Sequence, residues 1–311
     1  MATVGNTVTA AFSVTNNTCA DSNLEPDVTS TVPDLLPAAG IEPAGFRYDY
    51  APSSRTKASV ALLPGLFAGE WLWESTSARL RAEGFGVIRL LDPLAVLDWR
   101  SGGIEDLRPA LCAVLDEHAV ERCTLCGNSL GGLVALDFAR HYPQRVDSLV
   151  VSGAPGLEPE INLAIGTPRQ ISREFVLRLV ENLFHDPSRA TEDMIRRTAD
   201  VLSERHHFAN AVRALKASRE YPLEDILPEI RCPVLLAWGE NDRVTPVEYW
   251  KLWARALDTL HLQTIPQCGH SPMLERPRVF NELLLGFLRR RREYGDAEST
   301  RRRDRVTGSI G

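Results

Sequence analysis

A chain of 311 residues, 44% hydrophobic and 24% charged, has a globular composition and enough length for one large domain or two small ones. The formal net charge of −6 offers no basic surface for nucleic acid, and no apolar run approaches the roughly 20 residues of a membrane-spanning helix. Lysine occurs only at Lys57, Lys216 and Lys251, none of them in a motif, which argues against Schiff-base and Walker-type phosphate chemistry.

Residues 1–40 are rich in Thr, Ser, Asn and Pro without periodicity and are predicted to form a disordered leader. They lack the basic and apolar regions of a secretory signal. Six cysteines are too few for a disulfide scaffold, so a reduced, cytoplasmic protein is the expectation. Cys123 and Cys126 form a C-x-x-C inside an apolar run and are read as buried packing residues.

From there short β-rich runs alternate with helical patterns. "SVALLPG" is a strand, "EWLWESTSARLRAEG" a helix, "FGVIRLLD" a strand and "IEDLRPALCAVLDEH" a helix. "CTLCGNS" is a strand leading into the helix "LGGLVALDFARHYP", followed by the strand "VDSLVVSGAPG". "CPVLLAWGEND" and "HLQTIPQCGH" are two more strands around the helix "PVEYWKLWARAL", and "RPRVFNELLLGFLRRR" is the last helix. Such alternation predicts an α/β fold: a mostly parallel sheet covered by helices on both faces, formed by residues 41–156 and 225–293. Residues 157–224 carry only helical patterns and are predicted to be an inserted helical cap over the sheet's carboxyl edge, where open α/β folds bind ligands. Residues 294–311 are read as a disordered charged tail.

"CGNSLGG" places Ser129 between Gly127 and Gly131, after a strand and before a helix. A phosphate-cradling loop would need Lys and Ser/Thr next, but Leu133 and Val134 follow. The pattern instead suits a nucleophile elbow, a reversal too sharp for side chains at the ±2 positions. Serine needs a base and a group orienting that base, in the chain order Ser, acid, His. Asp242 in "WGENDRVTP" and His270 in "PQCGHSPMLERP" each follow a strand in that order, with Glu158 as the fallback acid. The oxyanion donors expected are the N–H groups of Leu130 and Leu66, with Phe67 the next candidate. Phe67, Trp71, Phe175, Leu179 and Phe184 are read as an apolar substrate pocket, although Trp71 and Trp73 also suit helix packing. No metal or organic cofactor is called for. The partner expected is a small apolar molecule, and the chain a monomer or homodimer.

Together "LLPGLFAGEW", "GNSLGG", "WGENDRVTP" and "CGHSPMLERP" resemble the α/β-hydrolase fold superfamily, in the family's order and over Phe46 to Arg292. The resemblance implies Ser129 as nucleophile, His270 as base and Asp242 as its partner. Ser129 at the elbow sets the chain apart from members with Asp there, such as haloalkane dehalogenases and epoxide hydrolases. "GNSLGG" with "CGH" and a helical cap is similar to carbon–carbon bond hydrolases of meta-ring-fission products. Those usually have His-Gly where Pro64-Gly65 stands, Trp where Ser271 stands, and a cap arginine for which Arg196 or Arg197 would substitute. "LPG" with "GNSLGG" also resembles esterases that remove phytol from chlorophyll pigments. "LLDPLAVLDWRSGG" departs from the family's usual loop. The reading that follows is a serine hydrolase of esters or related activated carbonyls of small apolar substrates. The alternatives are a carbon–carbon bond hydrolase or natural-product cyclase using the same triad, or a non-catalytic small-molecule receptor.

Overall fold

Continuous apolar runs mark strands buried on both faces. The computed structural model describes residues 7–9, 47–53, 58–97, 103–157 and 172–290. Its strands are β1 (Thr7–Thr9), β2 (Arg47–Ala51), β3 (Ser59–Leu63), β4 (Gly86–Leu90), β5 (Cys123–Asn128), β6 (Val146–Ser152), β7 (Val234–Gly239) and β8 (Leu260–Ile265). They form one sheet in the order β1-β2-β4-β3-β5-β6-β7-β8. From β4 to β8 every pairing is parallel, while β1 and β2 run antiparallel to their neighbours. β3, β5 and β7 are buried at every position, whereas the edge strand β8 alternates buried and open positions.

Two strands depart from expectation. "RYDYA" of β2 is mixed polar and aromatic and only five residues long, too weak a pattern to distinguish from loop. Thr7–Thr9 lies in the stretch read as a disordered leader, yet it pairs with the open edge of β2, Thr7 opposite Asp49. Its β-branched residues suit that position. The rest of that leader and residues 294–311 lie outside the described residues.

The helices are α1 (Glu74–Ala82), α2 (Leu107–Glu117), α3 (Leu130–His141), α4 (Arg173–Asn182), α5 (Glu192–Ser203), α6 (Arg205–Glu220), α7 (Leu223–Ile226), α8 (Val247–Ala256), α9 (Pro272–Glu275) and α10 (277–290). One face of the sheet packs on α2, α3 and α8 through Leu115, Phe138 and Trp250. The other packs on α1 and α10 through Leu80, Phe280 and Leu284. Helices α4 to α6 are inserted between β6 and β7 as a cap. Ser172 and Thr191 cap α4 and α5, each hydroxyl accepting a backbone N–H from three residues on. The apolar faces of α4 and α5 meet in a separate small core of Phe175, Val176, Leu179, Ile195 and Leu202. Among the described residues no helix is long and apolar enough to cross a membrane.

The end of the cap's last helix is tied to the core helices α2 and α3 by a buried carboxylate. Asp137 of α3 is fully buried and accepts two hydrogen bonds from Arg108, at 2.6 and 2.9 Å, and one from the Tyr221 hydroxyl at 2.5 Å. Burial, reinforced by that carboxylate, holds the Tyr221 hydroxyl protonated far above the usual phenol range. Asp137→Ala leaves both donors without an acceptor and should cost about 3 kcal/mol. That corresponds to a Tm lower by roughly 6–12 °C, measurable by calorimetry; an unchanged Tm would refute the coupling.

Candidate active site

The backbone at Ser129 turns from β5 into α3 with φ 55° and ψ −126°, a conformation non-glycine residues rarely adopt. It is held on both sides, Ser129 N–H donating to Ser152 O at 2.8 Å and Ser129 O accepting from Gly132 N–H at 2.9 Å. The flanking glycines are a steric requirement. A Cβ on Gly127 would lie 2.3 Å from Gly131 O, and one on Gly131 would lie 2.4 Å from Pro64 O. The reversal therefore fits against the end of β3 only with glycine at both ±2 positions. The C-x-x-C on the same strand carries free thiols, and burial pushes the Cys123 thiol up to about 12 and that of Cys126 higher still. Both stay protonated at neutral pH and act as packing residues.

Asp242 follows β7 and His270 follows β8, two neighbouring parallel strands, so both side chains arrive at the sheet's carboxyl edge beside Ser129. Nδ1 of His270 lies 2.9 Å from Asp242 Oδ2 and 3.1 Å from Oδ1. Both residues are buried, so little water competes for the pair. Asp242 is itself fixed by the turn after β7: Oδ1 accepts the N–H groups of Val244 and Thr245, and Oδ2 accepts the Thr245 hydroxyl at 2.8 Å. An imidazole bonded through Nδ1 to a carboxylate presents Nε2 as the free base.

Three supports of this arrangement were not singled out in the sequence. Asn128 donates its side-chain amide to His270 O at 3.0 Å and Ser152 O at 3.2 Å, joining the elbow to the histidine loop. Thr245 orients the acid. Gly153, with φ 63°, lies under the imidazole; a Cβ there would sit 2.8 Å from His270 Nδ1. The only sequence trace of these roles is adjacency to the elbow, to "WGEND" and to the end of a strand.

Ser129 and His270 share one cavity of about 50 Å³ between sheet and cap. Leu66, Phe67 and Trp71 line it from the loop after β3, Leu130 from the start of α3, and Val180, Phe184, Thr198 and Ser218 from the cap. The N–H of Leu130, in the first turn of α3, has no intrahelical acceptor and is free to serve a ligand oxygen. Phe175 and Leu179, read as pocket residues, are not among the lining residues; the apolar stripe of α4 faces α5 and builds the cap's own core. Trp73 is wholly buried against Phe280. Glu158 lies outside the described residues. Arg196 is exposed and pairs with Asp193 and Asp200, and Arg197 bridges Asp193 and Glu70 of the core. Neither lines the cavity.

A family model described as "Alpha/beta hydrolase family" matches residues 60–283, which includes all of these positions. The chain belongs to the alpha/beta hydrolase family. Several relatives carry the name 2-hydroxy-6-oxononadienedioate/2-hydroxy-6-oxononatrienedioate hydrolase. That from Paraburkholderia phymatum is 32% identical over 60% of this chain and 70% of its own length. The second such hydrolase of Pseudomonas putida is 30% identical over 74% of this chain and 87% of its own. Among solved structures, the 2-hydroxy-6-oxo-6-phenylhexa-2,4-dienoate hydrolase of Rhodococcus sp. strain RHA1 superposes with a TM-score of 0.65. The match is at 20% identity and covers 79% of this chain and 95% of that one, a likeness of fold.

In this alpha/beta hydrolase the imidazole rests directly on Gly153, so Gly153→Ala should push the ring off line while leaving the elbow intact. A displacement of about 1 Å typically costs about 10²-fold in rate. The rate of phosphonylation by a fluorophosphonate should fall by that order, with Tm also lowered because a side chain at φ 63° is strained; an unaltered rate, measured well below that Tm, would disprove the placement.

Proposed function

We propose that this chain is a serine hydrolase that cleaves a carbon–carbon bond beside a ketone. The observation that carries the reading is the kinship with the Pseudomonas putida relative over 87% of that protein's length. A 2-hydroxy-6-oxo dienedioate contains carboxylates, an enol and a ketone but no ester, so its hydrolysis has to break a carbon–carbon bond. This favours the alternative drawn from the sequence over ester hydrolysis as the main reaction.

In the proposed mechanism Ser129 Oγ adds to the ketone carbon and its proton passes to His270 Nε2, while Asp242 stabilises the imidazolium through Nδ1. The oxyanion formed is held by the N–H groups of Leu130 and Leu66. Before this addition the dienol tautomerises to its 2-oxo form, the enol proton moving to the carbon beside the ketone. Collapse then breaks the bond to that carbon, and the departing electron pair is delocalised through the adjacent double bond onto the 2-oxo oxygen. His270 returns its proton to the resulting dienolate, leaving an acyl-serine. Water, activated by the same imidazole, then releases the acid. No step requires a metal or organic cofactor.

One observation supports a second reading, hydrolysis of a neutral ester. Apart from His270, no described lining residue carries an ionisable side chain, and both candidate cap arginines are engaged with carboxylates. A carboxylate buried in that cavity would lack a counter-charge, at a cost of several kcal/mol. A neutral ketone or ester would not.

The test is to assay a vinylogous 1,5-diketone beside p-nitrophenyl esters of increasing acyl length, with Ser129→Ala as control. The expected result is turnover of the diketone exceeding that of any ester. Ser129→Ala should lose both activities, by about 10⁴-fold or more, together with fluorophosphonate labelling. Ester turnover without diketone cleavage would select the second reading. Full labelling of Ser129→Ala would overturn both.

A further inference from the structure

The residue five positions after His270 has no part in the chemistry above, yet it is a carboxylate at 1% exposure. Glu275 ends the short helix α9, and its neighbour Arg276 bonds instead to Gln267 O and Oε1. Glu275 makes no ion pair among the described residues. Instead its two oxygens collect three backbone donors from two separate segments. Oε2 accepts Gly269 N–H at 2.7 Å and His185 N–H at 3.0 Å, and Oε1 accepts Asp186 N–H at 2.7 Å.

Gly269 immediately precedes the base, and His185 and Asp186 leave the cap's first helix. The same two segments are joined a second time, His270 N–H donating to Leu183 O at 2.8 Å. They also touch sterically: a Cβ on Gly269 would lie 2.6 Å from Leu183 O and 2.7 Å from His185 N. The segment 183–186 thus lies directly on the histidine loop, and its Leu183 and Phe184 side chains form part of the cavity wall.

We propose that Glu275 is a positioning residue that sets His270 and the Leu183–Phe184 wall as one unit, coupling the base to the cap. A buried carboxylate is costly unless its lone pairs are filled, and three convergent N–H donors fill them. The donors in turn have no other acceptor of that charge, so the loop and the cap segment are held at the separation the carboxylate spans. Glutamine cannot replace it: its NH₂ group must occupy one of the two oxygen positions. It then faces either Asp186 N–H, or Gly269 and His185 N–H together, donor against donor.

The proposal rests on His270 being the base, and the experiment separates the two. Glu275→Gln and Glu275→Asp are compared with the unaltered chain in three measurements: phosphonylation rate of Ser129, kcat and KM on a short-chain aryl ester, and amide hydrogen exchange. All are taken well below each variant's Tm. The expected result for Glu275→Gln is a phosphonylation rate and kcat lower by tenfold or more, with KM changed less than threefold. Exchange should be faster in peptides covering 183–186 and 267–271 together. Glu275→Asp keeps the charge but withdraws it by one methylene, and should fall between. Rates within twofold of the unaltered chain, with only Tm lowered, would overturn the proposal, as would faster exchange in one segment without the other. If Glu275→Gln does not fold, Glu275→Asp decides on the same criteria. If the unaltered chain is never labelled at Ser129, the assignment of the base fails instead, and the exchange data still decide whether Glu275 joins the two segments.

Discussion

The site depends on one backbone conformation, the positive φ at Ser129. A serine held there projects its hydroxyl away from the sheet, but only if the chain before and after it passes within contact of itself. That contact is Gly127 against Gly131, and Gly131 also touches the last carbonyls of β3. The strand β3 is therefore pressed against the first turn of the helix that follows Ser129. Leu66 and Leu130 come from distant parts of the sequence, yet the same steric closure brings both to the cavity.

The base and its acid are ordered by a different means. Asp242 is pinned by two backbone N–H groups and a hydroxyl within its own turn, so its orientation is a local matter. His270 has almost no local constraint. Its ring is located by Asp242 on one side and Gly153 beneath, and its backbone by Asn128 and by the cap at Leu183. His270 is the member of the site that depends most on long-range contacts, one of them to Leu183 of the cavity wall.

Much of this was legible in the chain. Five of the eight strands announce themselves as largely buried apolar runs and β8 as an alternating one, and the order Ser129, Asp242, His270 at strand ends carried the catalytic reading. What was illegible has a common cause. β2 is short and half-polar, and β1 lies in polar sequence, so neither has the hydrophobic pattern that marks a strand. Phe175 and Leu179 obey the helical spacing that predicted an apolar face, but spacing gives no direction. A face turned toward α5 and one turned toward a ligand have the same sequence. Arg197 differs in the same way: Asp193 and Asp200 are helical neighbours of Arg196 and Arg197, but the partner Glu70 of Arg197 depends on how the cap sits.

By itself the sequence determined the layered α/β architecture and the inserted helices, and it singled out Ser129 as the candidate nucleophile. Periodicity, glycine spacing and chain order are local properties, and local sterics enforce them. Only the tertiary structure decided which cap residues reach the cavity, that Arg197 of the cap reaches Glu70 of the core, and that Glu275 joins the histidine loop to the cap. The Glu275–Asp186 and Arg197–Glu70 contacts link residues 89 and 127 positions apart. They exist only once packing has brought the segments within hydrogen-bonding distance.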